Sequence, residues 1–547
     1  MTSENQTSAR PARKKLWLFF FILFFFWYML LCGFDRSSLP GPSSVSQENP
    51  SRSDNDIVIR SNNSSQVISD VNLNPNDNEN EPPRNVTTYI ETEMDDLEKE
   101  VEPSLPKVEE EDKEKKRRSG CGGRYIYVQD LPSRFNSDYI KDCKLLNKWH
   151  NVCPYFSNGG LGERLSSSCW YVTHQFSLDV IFHSRMQRYD CLTNDSSKAA
   201  AIYVPYYPGL DVSRFLWDTY NASVKDADLT DLFALLRSRP QWRVMDGRDH
   251  FLVSGRITWD LRRSGDADSD WGSSLMVAPE SQKMTMITIE SSPWHPNDFA
   301  IPYPTYFHPS SDAQVHEWQG RMRRQRRRSL FCFAGAPRPN MEGSIRGEIM
   351  AQCGAASKRC KMVHCKDDKH NCLKPANLIR MFQGSVFCLQ PSGDSFTRRS
   401  TFDSILAGCI PVFFSPASAY VQYLWHLPSD FGSYSVLIPE GDVKTHKVSI
   451  DRVLSRIPAS RVAAMREKVI KLIPNVIYAD HRSRLEKTED AFDLAIRGVV
   501  QRVDGLRREM KEGRNSSAEF DPEFSWKYYA FGTTKQHEWD NYFKRDR

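Results

Sequence analysis

Residues 385–414, SVFCLQPSGDSFTRRSTFDSILAGCIPVFF, place a segment of helical periodicity between two apolar runs. This order predicts a strand over 385–390, a tight loop over 391–395, a helix over 396–408 and a second strand over 410–414. When a helix connects two strands, the strands lie parallel in the sheet, because the helix supplies the long crossover that a parallel connection needs. The stretch therefore restricts this part of the chain to a parallel α/β sheet, with the loop at the carboxyl end of the first strand.

The predicted helix begins with Thr397, Arg398 and Arg399, although the first turn of a helix has unpaired N–H groups and favours negative charge. Each cation at that end destabilises a helix by a few tenths to about 1 kcal/mol. We therefore expect an anion to bind there. The preceding loop has backbone N–H groups with little side-chain obstruction, and Ser395 is the predicted N-cap.

A nucleotide diphosphate fits this pattern, because the two arginines complete an anion cradle and Asp403, one turn further on, can hold a ribose diol. The residues of this predicted diphosphate site are Gly393, Asp394, Ser395, Arg398, Arg399 and Asp403. The structural alternative is an ordinary salt bridge between Arg399 and Asp403, four residues apart, with Arg398 in solvent. The P-loop pattern G-x-x-x-x-G-K-[ST] is absent.

Strand and helix patterns alternate through the rest of residues 124–512. RYIYVQDLP, AAAIYVPYYPGL, HFLVSG and MITIESSPW form a first series of strands, and a second series starts at SLFCFAGAPR. Helical patterns include residues 170–189 between the strands of the first series, and residues 449–473 and 481–512 after the second. The alternation predicts two α/β domains, residues 120–310 and 311–512, followed by a polar tail over 513–547. Ligands of open sheets bind at the carboxyl ends of strands, so we expect the site in a cleft between the domains.

Residues 16–34 form an uninterrupted apolar run without a charge, long enough to cross a bilayer as a helix. Arg10, Arg13, Lys14 and Lys15 precede it, so the positive-inside rule places residues 1–15 in the cytosol. The pattern predicts a single-pass signal anchor. A cleaved signal peptide is the alternative, although no A-x-A-like site follows the run. Residues 35–119 have the composition of a disordered stem, whose basic cluster at 115–118 is either a processing site or a solvated charge run.

This topology puts twelve of the 13 cysteines in an oxidising compartment, where most should be disulfides or buried thiols. N-x-S/T triplets on the same side are candidate glycosylation sites. They begin at Asn62, Asn63, Asn85, Asn194, Asn221 and Asn515.

The donor stretch resembles the signature of exostosin-type glycosyltransferases, in particular the plant Golgi xyloglucan galactosyltransferases. The similarity runs from Cys121 to about Gly513. It includes CGGRYIYVQDLP, TNDSSKAAAIYVPYYPGLD, DHFLVSGRITWDLRR, ESSPWHPNDFAIPYPTYFHP, FCFAGAPRPN with SIRGE, and AYVQYLWHLP. These runs are long, so together they identify the family more firmly than any single motif does.

The resemblance implies a GT-B fold of two Rossmann-like domains, with a UDP-sugar bound by the C-terminal half and the acceptor by the N-terminal half. It implies inverting, β-linked transfer of galactose from UDP-galactose to xylosyl side chains of xyloglucan in the Golgi, without an essential metal or other cofactor. It adds Gly335 and Arg346 to the donor site. The alternatives are a galacturonosyltransferase acting on xyloglucan or another wall polysaccharide, and a non-catalytic glycan-binding protein of the same fold. The expected partners are xyloglucan, the UDP-sugar and the Golgi membrane. Other wall-synthesis glycosyltransferases are further candidate partners.

Three other patterns in the sequence suggest different kinds of site. Residues 266–270, DADSD, contain two D-x-D triplets of the kind that bind a metal–diphosphate, but no apolar strand precedes them. Residues 360–372, CKMVHCKDDKHNC, can hold zinc or be joined by disulfides, and an oxidising compartment favours disulfides. The run RMRRQRRR over 321–328 suits nucleic acid, but a net charge of +4 on 547 residues argues against a nucleic-acid binder and favours an exposed helix face.

Inverting transfer requires a base that takes the proton of the acceptor hydroxyl. His250 and Asp211 lie next to strand ends of the N-terminal half, where we expect them to face the cleft. Each can equally be a structural group, since a His beside Asp249 at the start of a strand is often a core or capping residue.

Overall fold

The computed structural model describes residues 121–165, 169–295, 297–365 and 374–513, all within one compact unit, Ser65–Arg547. The first half contains a five-stranded sheet in the order β1-β2-β3-β4-β5, and every neighbouring pair is parallel. Its strands are β1 (Ile126–Val128), β2 (Ala201–Tyr203), β3 (His250–Val253), β4 (Thr285–Thr288) and β5 (Asp298–Ala300). All five carboxyl ends therefore lie at one edge of this sheet.

In the described part of this half, seven α-helices connect or flank the strands. They are α1 (Ser137–Lys141), α2 (Leu178–Met186), α3 (Pro208–Ser213), α4 (Ala222–Lys225), α5 (Ala227–Ser238), α6 (Pro240–Met245) and α7 (Pro279–Lys283). The helix predicted over 170–189 begins only at Leu178, because Trp170 forms an isolated β-bridge with Phe307 instead.

The second half contains another parallel five-stranded sheet, in the order β10-β9-β8-β6-β7. Its strands are β6 (Ser329–Gly335), β7 (Cys360–His364), β8 (Ser385–Gln390), β9 (Ile410–Phe413) and β10 (Val436–Leu437). The chain passes from β6 outward to β7, then crosses back to β8 on the other side of β6. This reversal of strand order opens a crevice beyond the carboxyl ends of β6 and β8, where doubly wound folds bind ligands.

The helices of the second half and of the chain's end follow the same alternation. They are α8 (Asp312–Arg324), α9 (Arg346–Ala355), α10 (Pro375–Gln383), α11 (Arg399–Leu406), α12 (Glu440–Lys444), α13 (Ile450–Ser455), α14 (Ala459–Lys471) and α15 (Ala491–Lys511). The helix predicted over 449–473 is divided at Pro458, which lacks the N–H that a continuous helix needs.

Helix α15, the last one among the described residues, packs against the first half of the chain. Asp490 caps it in a reciprocal capping box with Asp493, so it begins ten residues later than the 481–512 pattern predicts. Phe492 packs on Phe182 of α2 with ring centroids 4.8 Å apart, and Arg185 donates to Asp490 at 3.1 Å. These buried contacts tie the end of the chain to the first sheet.

The arginine run of 321–328 is only partly a helix face, because α8 ends at Arg324. Arg327 lies beyond it and donates to the carbonyl oxygens of Phe382, Ser385 and Ala407 at 2.6–2.9 Å. Burial lowers the pKa of this guanidinium to about 9. One arginine of the run therefore joins the ends of two helices to the start of strand β8.

Disulfides predicted from the compartment are present among the described cysteines. The pairs are Cys121–Cys191, Cys143–Cys153, Cys353–Cys360 and Cys388–Cys409. Cys365 of the 360–372 window is also disulfide-bonded. Cys360 and Cys365 of that window are thus in disulfides, as the oxidising compartment predicts.

Some predictions concern residues outside the described ranges: the anchor over 16–34, the stem over 35–119 and the C-terminal tail. Asn62, Asn63, Asn85 and Asn515 are likewise outside them, whereas Asn194 and Asn221 are exposed. No helix of the described residues is long and apolar enough to cross a membrane.

Candidate active site

Two loops meet in the crevice between β6 and β8, and one buried arginine joins them. Gly335 is the last residue of β6, and Arg346 is the first residue of α9. The Arg346 guanidinium donates from Nε to the Ser392 carbonyl at 3.2 Å and from Nη1 to the Ala336 carbonyl at 3.3 Å. It is 3% exposed. The two strand ends are thus held together by a cation at the switch point of the sheet.

Gly393 lies where two guanidinium groups converge. A Cβ added there would overlap the guanidinium of Arg398 and lie 2.6 Å from Nη2 of Arg346. Its backbone N–H donates to the Ser395 carbonyl at 3.0 Å, which closes the tight loop after β8. A side chain at this position would therefore displace the tips of the two arginines from the loop.

Arg398 is the N-cap residue of α11, with extended backbone and no side-chain cap. Its Nε and Nη2 atoms are buried and have no hydrogen-bond partner among the described residues. Buried N–H groups without acceptors are costly, since they lose their hydration without compensation. The geometry leaves these donors available for an anionic oxygen next to Gly393.

Glu290 supplies negative charge next to the start of α11. Its carboxylate follows β4 of the first half and accepts hydrogen bonds from the backbone N–H and hydroxyl of Thr397 at 2.7 and 2.6 Å. The Ser395 hydroxyl also bonds to it. Burial raises the pKa of Glu290, while Thr397, Ser395 and Arg398 act against that rise. Ser395 is therefore not the N-cap, and α11 begins at Arg399 instead of Phe396.

Sequence reasoning missed Glu290. The only signal for it is a carboxylate directly after the apolar strand MITI, at the edge where ligands of parallel sheets bind. Its partner Thr397 lies 107 residues later, a separation that no local pattern reveals.

Arg399 points toward the first half of the chain. Its Nη1 donates to the Thr173 carbonyl at 2.6 Å, and its Cζ lies 3.5 Å from the ring centroid of Tyr306. Nε lies 3.6 Å from Oδ2 of Asp403, the helix salt bridge that the sequence allowed. Burial raises the pKa of Asp403 to about 6, although Arg399 acts to lower it. The structure therefore brings Gly335, Arg346, Gly393 and Arg398 together, with Arg399 and Asp403 forming a separate buried pair.

The exostosin GT47 domain matches residues 120–454 of this chain. The chain is 52% identical over 438 residues to the xyloglucan galactosyltransferase MUR3 of Arabidopsis thaliana, covering 78% of this chain and 70% of that protein. The chain belongs to the exostosin GT47 family. It is also 50% identical over 413 residues to the probable xyloglucan galactosyltransferase GT12 of that plant, covering 73% and 80% of the two chains.

A third relative in the exostosin GT47 family has a different sugar in its name. The xyloglucan-specific galacturonosyltransferase 1 of Arabidopsis thaliana is 41% identical over 392 residues, covering 71% of this chain and 58% of that protein. The family and the subgroup expected from the motifs are thus confirmed.

Asp394 pairs with a neighbouring loop of this GT47 domain. Nε of Arg338, which follows β6, lies 3.3 Å from its Oδ1. The carboxylate therefore links the two loops on either side of the crevice, a geometry that complements the bridge formed by Arg346.

His250 does not face the cleft, contrary to the sequence-based expectation. It begins β3, so it lies at the amino edge of the first sheet, opposite the carboxyl ends. Its ring is fully buried against Trp242, with centroids 5.0 Å apart, and Nδ1 bonds to Asp249 at 2.8 Å. The direction of the strand, which the sequence pattern leaves open, makes His250 a core residue.

Asp211 lies at the carboxyl edge of the first sheet, but its carboxylate is already bound by other side chains of the protein. It is 2% exposed in α3, accepts from the Tyr206 hydroxyl, and is paired with Arg214, which also binds Asp228. Burial raises the pKa of Asp211 to about 6, and Arg214 acts to lower it. Its contacts are those of a structural ion-pair network of the first half.

The D-x-D loop also belongs to the first half. Lys225 binds the carbonyl oxygens of Asp268 and Asp270 at 2.8 and 2.7 Å, and Asp270 accepts the Ala267 N–H at 3.1 Å. Asp266 is fully exposed. These contacts are those of a surface loop held by a lysine, whereas the crevice with Arg346 and Arg398 lies in the second half.

Proposed function

We propose that this GT47 protein transfers galactose from UDP-galactose, in β linkage and with inversion, to xylosyl side chains of xyloglucan. The observation that carries the donor half of the proposal is the convergence of Arg346 and Arg398 on Gly393 at the switch point of the second sheet. The names and identities of the relatives support galactose and xyloglucan.

In this proposal the diphosphate of UDP-galactose lies against the loop over 391–398. Arg398 donates its unpaired N–H groups to phosphate oxygens, and Arg346 adds a second positive charge from the other strand end. As the acceptor hydroxyl attacks the anomeric carbon, the bond to the diphosphate breaks and negative charge grows on the leaving group. Guanidinium groups fixed in advance stabilise that charge more in the transition state than in the ground state.

We also propose that the two halves form a GT-B architecture, with the acceptor bound on the side of the first sheet. The charge of the leaving UDP is balanced by arginines, so no essential metal or other cofactor is needed. The protein is a type II membrane protein of the Golgi, anchored through residues 16–34 with its catalytic body in the lumen. This part of the proposal rests on the apolar run and the charges before it.

Incubation of the luminal part with xyloglucan oligosaccharides and a panel of UDP-sugars tests the activity. Mass spectrometry should show one hexose increment with UDP-galactose, retained in the presence of EDTA. A uronic-acid increment would instead favour the activity in the name of the 41%-identical relative. No transfer from any UDP-sugar, with no UDP binding at millimolar concentration, would identify a non-catalytic glycan-binding protein.

A further inference from the structure

Three cysteines of the second half lie together in the sheet that carries the donor crevice. Cys332 is in β6, Cys388 is in β8, and Cys409 directly precedes β9. All three side chains are buried in one small apolar cluster, and their sulfur atoms lie within 4.8 Å of one another. Cys388 and Cys409 form a disulfide, whereas Cys332 is a free thiol. One thiol is therefore packed directly against one disulfide.

The Cys332 thiol is positioned to attack one sulfur of that disulfide. Its Sγ lies 3.3 Å from Sγ of Cys388. The two residues are register partners on neighbouring parallel strands, so their side chains lie on the same face of the sheet. Neighbouring strands are about 4.8 Å apart, and a disulfide needs Cα atoms about 4.4–6.8 Å apart. The backbone spacing of β6 and β8 thus suits a disulfide between Cys332 and Cys388.

The existing disulfide encloses residues 389–408, which we call the donor segment. Cys388 and Cys409 are 21 residues apart in the sequence. The chain between them contains the whole loop over 391–398, with Gly393 and Arg398, and the whole of α11. A disulfide that closes a loop removes conformations from the open states of that loop. The Cys388–Cys409 bond therefore stabilises the ordered arrangement of the donor segment.

Exchange between two pairings of these cysteines needs no oxidant or reductant. The Cys332 thiol loses its proton, and the thiolate attacks Sγ of Cys388. The Cys332–Cys388 bond forms, the bond to Cys409 breaks, and the Cys409 sulfur leaves as a thiolate that takes up a proton. One disulfide and one thiol are present before and after the step. The product joins β6 to β8 and leaves the donor segment without a covalent closure.

The surroundings of Cys332 make this exchange slow in the closed fold. Burial raises the pKa of its thiol to about 12, while the Ser385 hydroxyl and the charge of Arg327 act against that rise. The thiolate, which is the attacking species, is therefore scarce at neutral pH. The Cys388–Cys409 pairing persists until the sheet opens locally or a small thiol reaches the cluster.

We propose that Cys332 is an alternative disulfide partner of Cys388, and that exchange of Cys409 for Cys332 switches the donor segment from a closed to an open form. In the closed form Gly393 and Arg398 are fixed in advance for the diphosphate, whereas in the open form binding must first order them. The effect on UDP rests on the proposed function, since it takes the loop over 391–398 as the diphosphate site. The exchange itself depends on no ligand.

Peptide mapping of the full-length protein tests the pairing. Free thiols are alkylated with a maleimide in denaturant, and the disulfide-linked peptides are then identified by mass spectrometry. Cys409→Ala should contain the Cys332–Cys388 disulfide, and the wild type should acquire it in a glutathione redox buffer. Cys332→Ala should keep Cys388–Cys409 in the same buffer. Cys143→Ala is the matched control, because its partner Cys153 lies outside this cluster and should stay a free thiol.

Amide hydrogen exchange and calorimetric titration with UDP test the effect on the donor segment. The donor segment should exchange its amide hydrogens faster in Cys409→Ala than in Cys332→Ala, because only the second variant keeps the closure. UDP should bind about three- to tenfold more weakly to Cys409→Ala. The double variant Cys332→Ala/Cys409→Ala has no disulfide at Cys388 and should show the same loss, which assigns the effect to the open segment and not to the new bond.

The outcomes separate this proposal from the proposed function. Absence of the Cys332–Cys388 pair from Cys409→Ala, or from the wild type in the redox buffer, would overturn the exchange. Equal hydrogen exchange over the donor segment in the two single variants would overturn the switch. Failure of the wild type to bind UDP, with the pairing and the hydrogen exchange as expected, would contradict the proposed donor site and support the switch.

Discussion

The carboxylate of Glu290 holds the backbone N–H and the hydroxyl of Thr397, at 2.7 and 2.6 Å, and so joins the first sheet to the start of the donor helix. The contact is buried, with Glu290 4% exposed. It places one carboxylate of the protein beside the helix end whose first residues are cationic. The loop between Gly393 and Arg398 is thereby fixed from the opposite side of the cleft.

Glu290→Leu should destabilise the fold. Both Thr397 donors bond Oε2 of Glu290, and leucine would leave this buried N–H and hydroxyl unpaired at a cost of about 1–3 kcal/mol each. Denaturant unfolding of residues 120–547 measures this loss. Glu317→Leu, at an exposed position on α8, should change the free energy of unfolding by less than about 0.5 kcal/mol. Equal stability of the two variants would show that the Glu290 contact contributes nothing.

Arg399→Ala should lower the free energy of unfolding. The change removes the hydrogen bond to the Thr173 carbonyl and the contact with Tyr306, and leaves Asp403 buried without its cation. Breaking a buried ion pair from one side costs about 3–5 kcal/mol. Chemical denaturation measures the loss, and adding Asp403→Asn should recover part of it. A loss of only a few tenths of a kcal/mol would mean that the pair behaves as an exposed helix salt bridge.

Asp403 should make stability depend on pH. Burial raises its pKa to about 6 in the folded chain from 3.8, so the folded state binds more protons than the unfolded state between these values. Its contribution to the free energy of unfolding therefore falls as pH rises from about 4 to about 6, by about 1–3 kcal/mol. The difference between wild type and Asp403→Asn, measured by denaturation across this range, should follow that fall. A difference independent of pH would contradict the raised pKa.

Gly393→Ala should remove donor binding while leaving the fold intact. The methyl group would occupy the space of the Arg398 guanidinium, whose flexible tip moves away from the loop at small cost. UDP affinity should fall at least tenfold, the equivalent of about 1.4 kcal/mol. The matched control is Gly354→Ala in α9, where an added Cβ meets nothing within 4 Å. Unchanged UDP affinity in Gly393→Ala would place the diphosphate elsewhere.

The sequence predicted local elements well where one strong pattern decides them. β8 occupies the predicted residues 385–390, because its apolar run is bounded by Gly384 and Pro391. The start of α11 was predicted three residues early, because the N–H of Thr397 is bound by Glu290 of the other half. His250 was correctly placed at the end of a strand, but it lies at the amino edge of the first sheet and not at the carboxyl edge that was expected. Local patterns thus identify strands, whereas long-range contacts determine caps and which strand end faces the cleft.

The site was predictable to a similar degree. The loop after β8 and the approach of Arg346 follow from the motifs, and the structure joins them by hydrogen bonds to Ser392 and Ala336. The different surroundings of Arg398 and Arg399 were not predictable, because the sequence pattern placed both residues inside the helix, whereas Arg398 is its extended N-cap residue and Arg399 its first helical one. Only the positions of Thr173 and Tyr306 show that Arg399 contacts the first half.

Arg398 provides the most direct measurement of the central claim, which is that its unpaired donors hold the UDP diphosphate. Calorimetric titration with UDP and turnover with xyloglucan oligosaccharide should be compared in wild type, Arg398→Ala and the exposed control Arg326→Ala. Arg398→Ala should weaken UDP binding at least tenfold and lower turnover by roughly one to three orders of magnitude, equivalent to about 2–4 kcal/mol of transition-state stabilisation. Lysine should restore only part of the rate, since it lacks the planar fork. Wild-type UDP affinity and turnover in a folded Arg398→Ala variant would contradict the account.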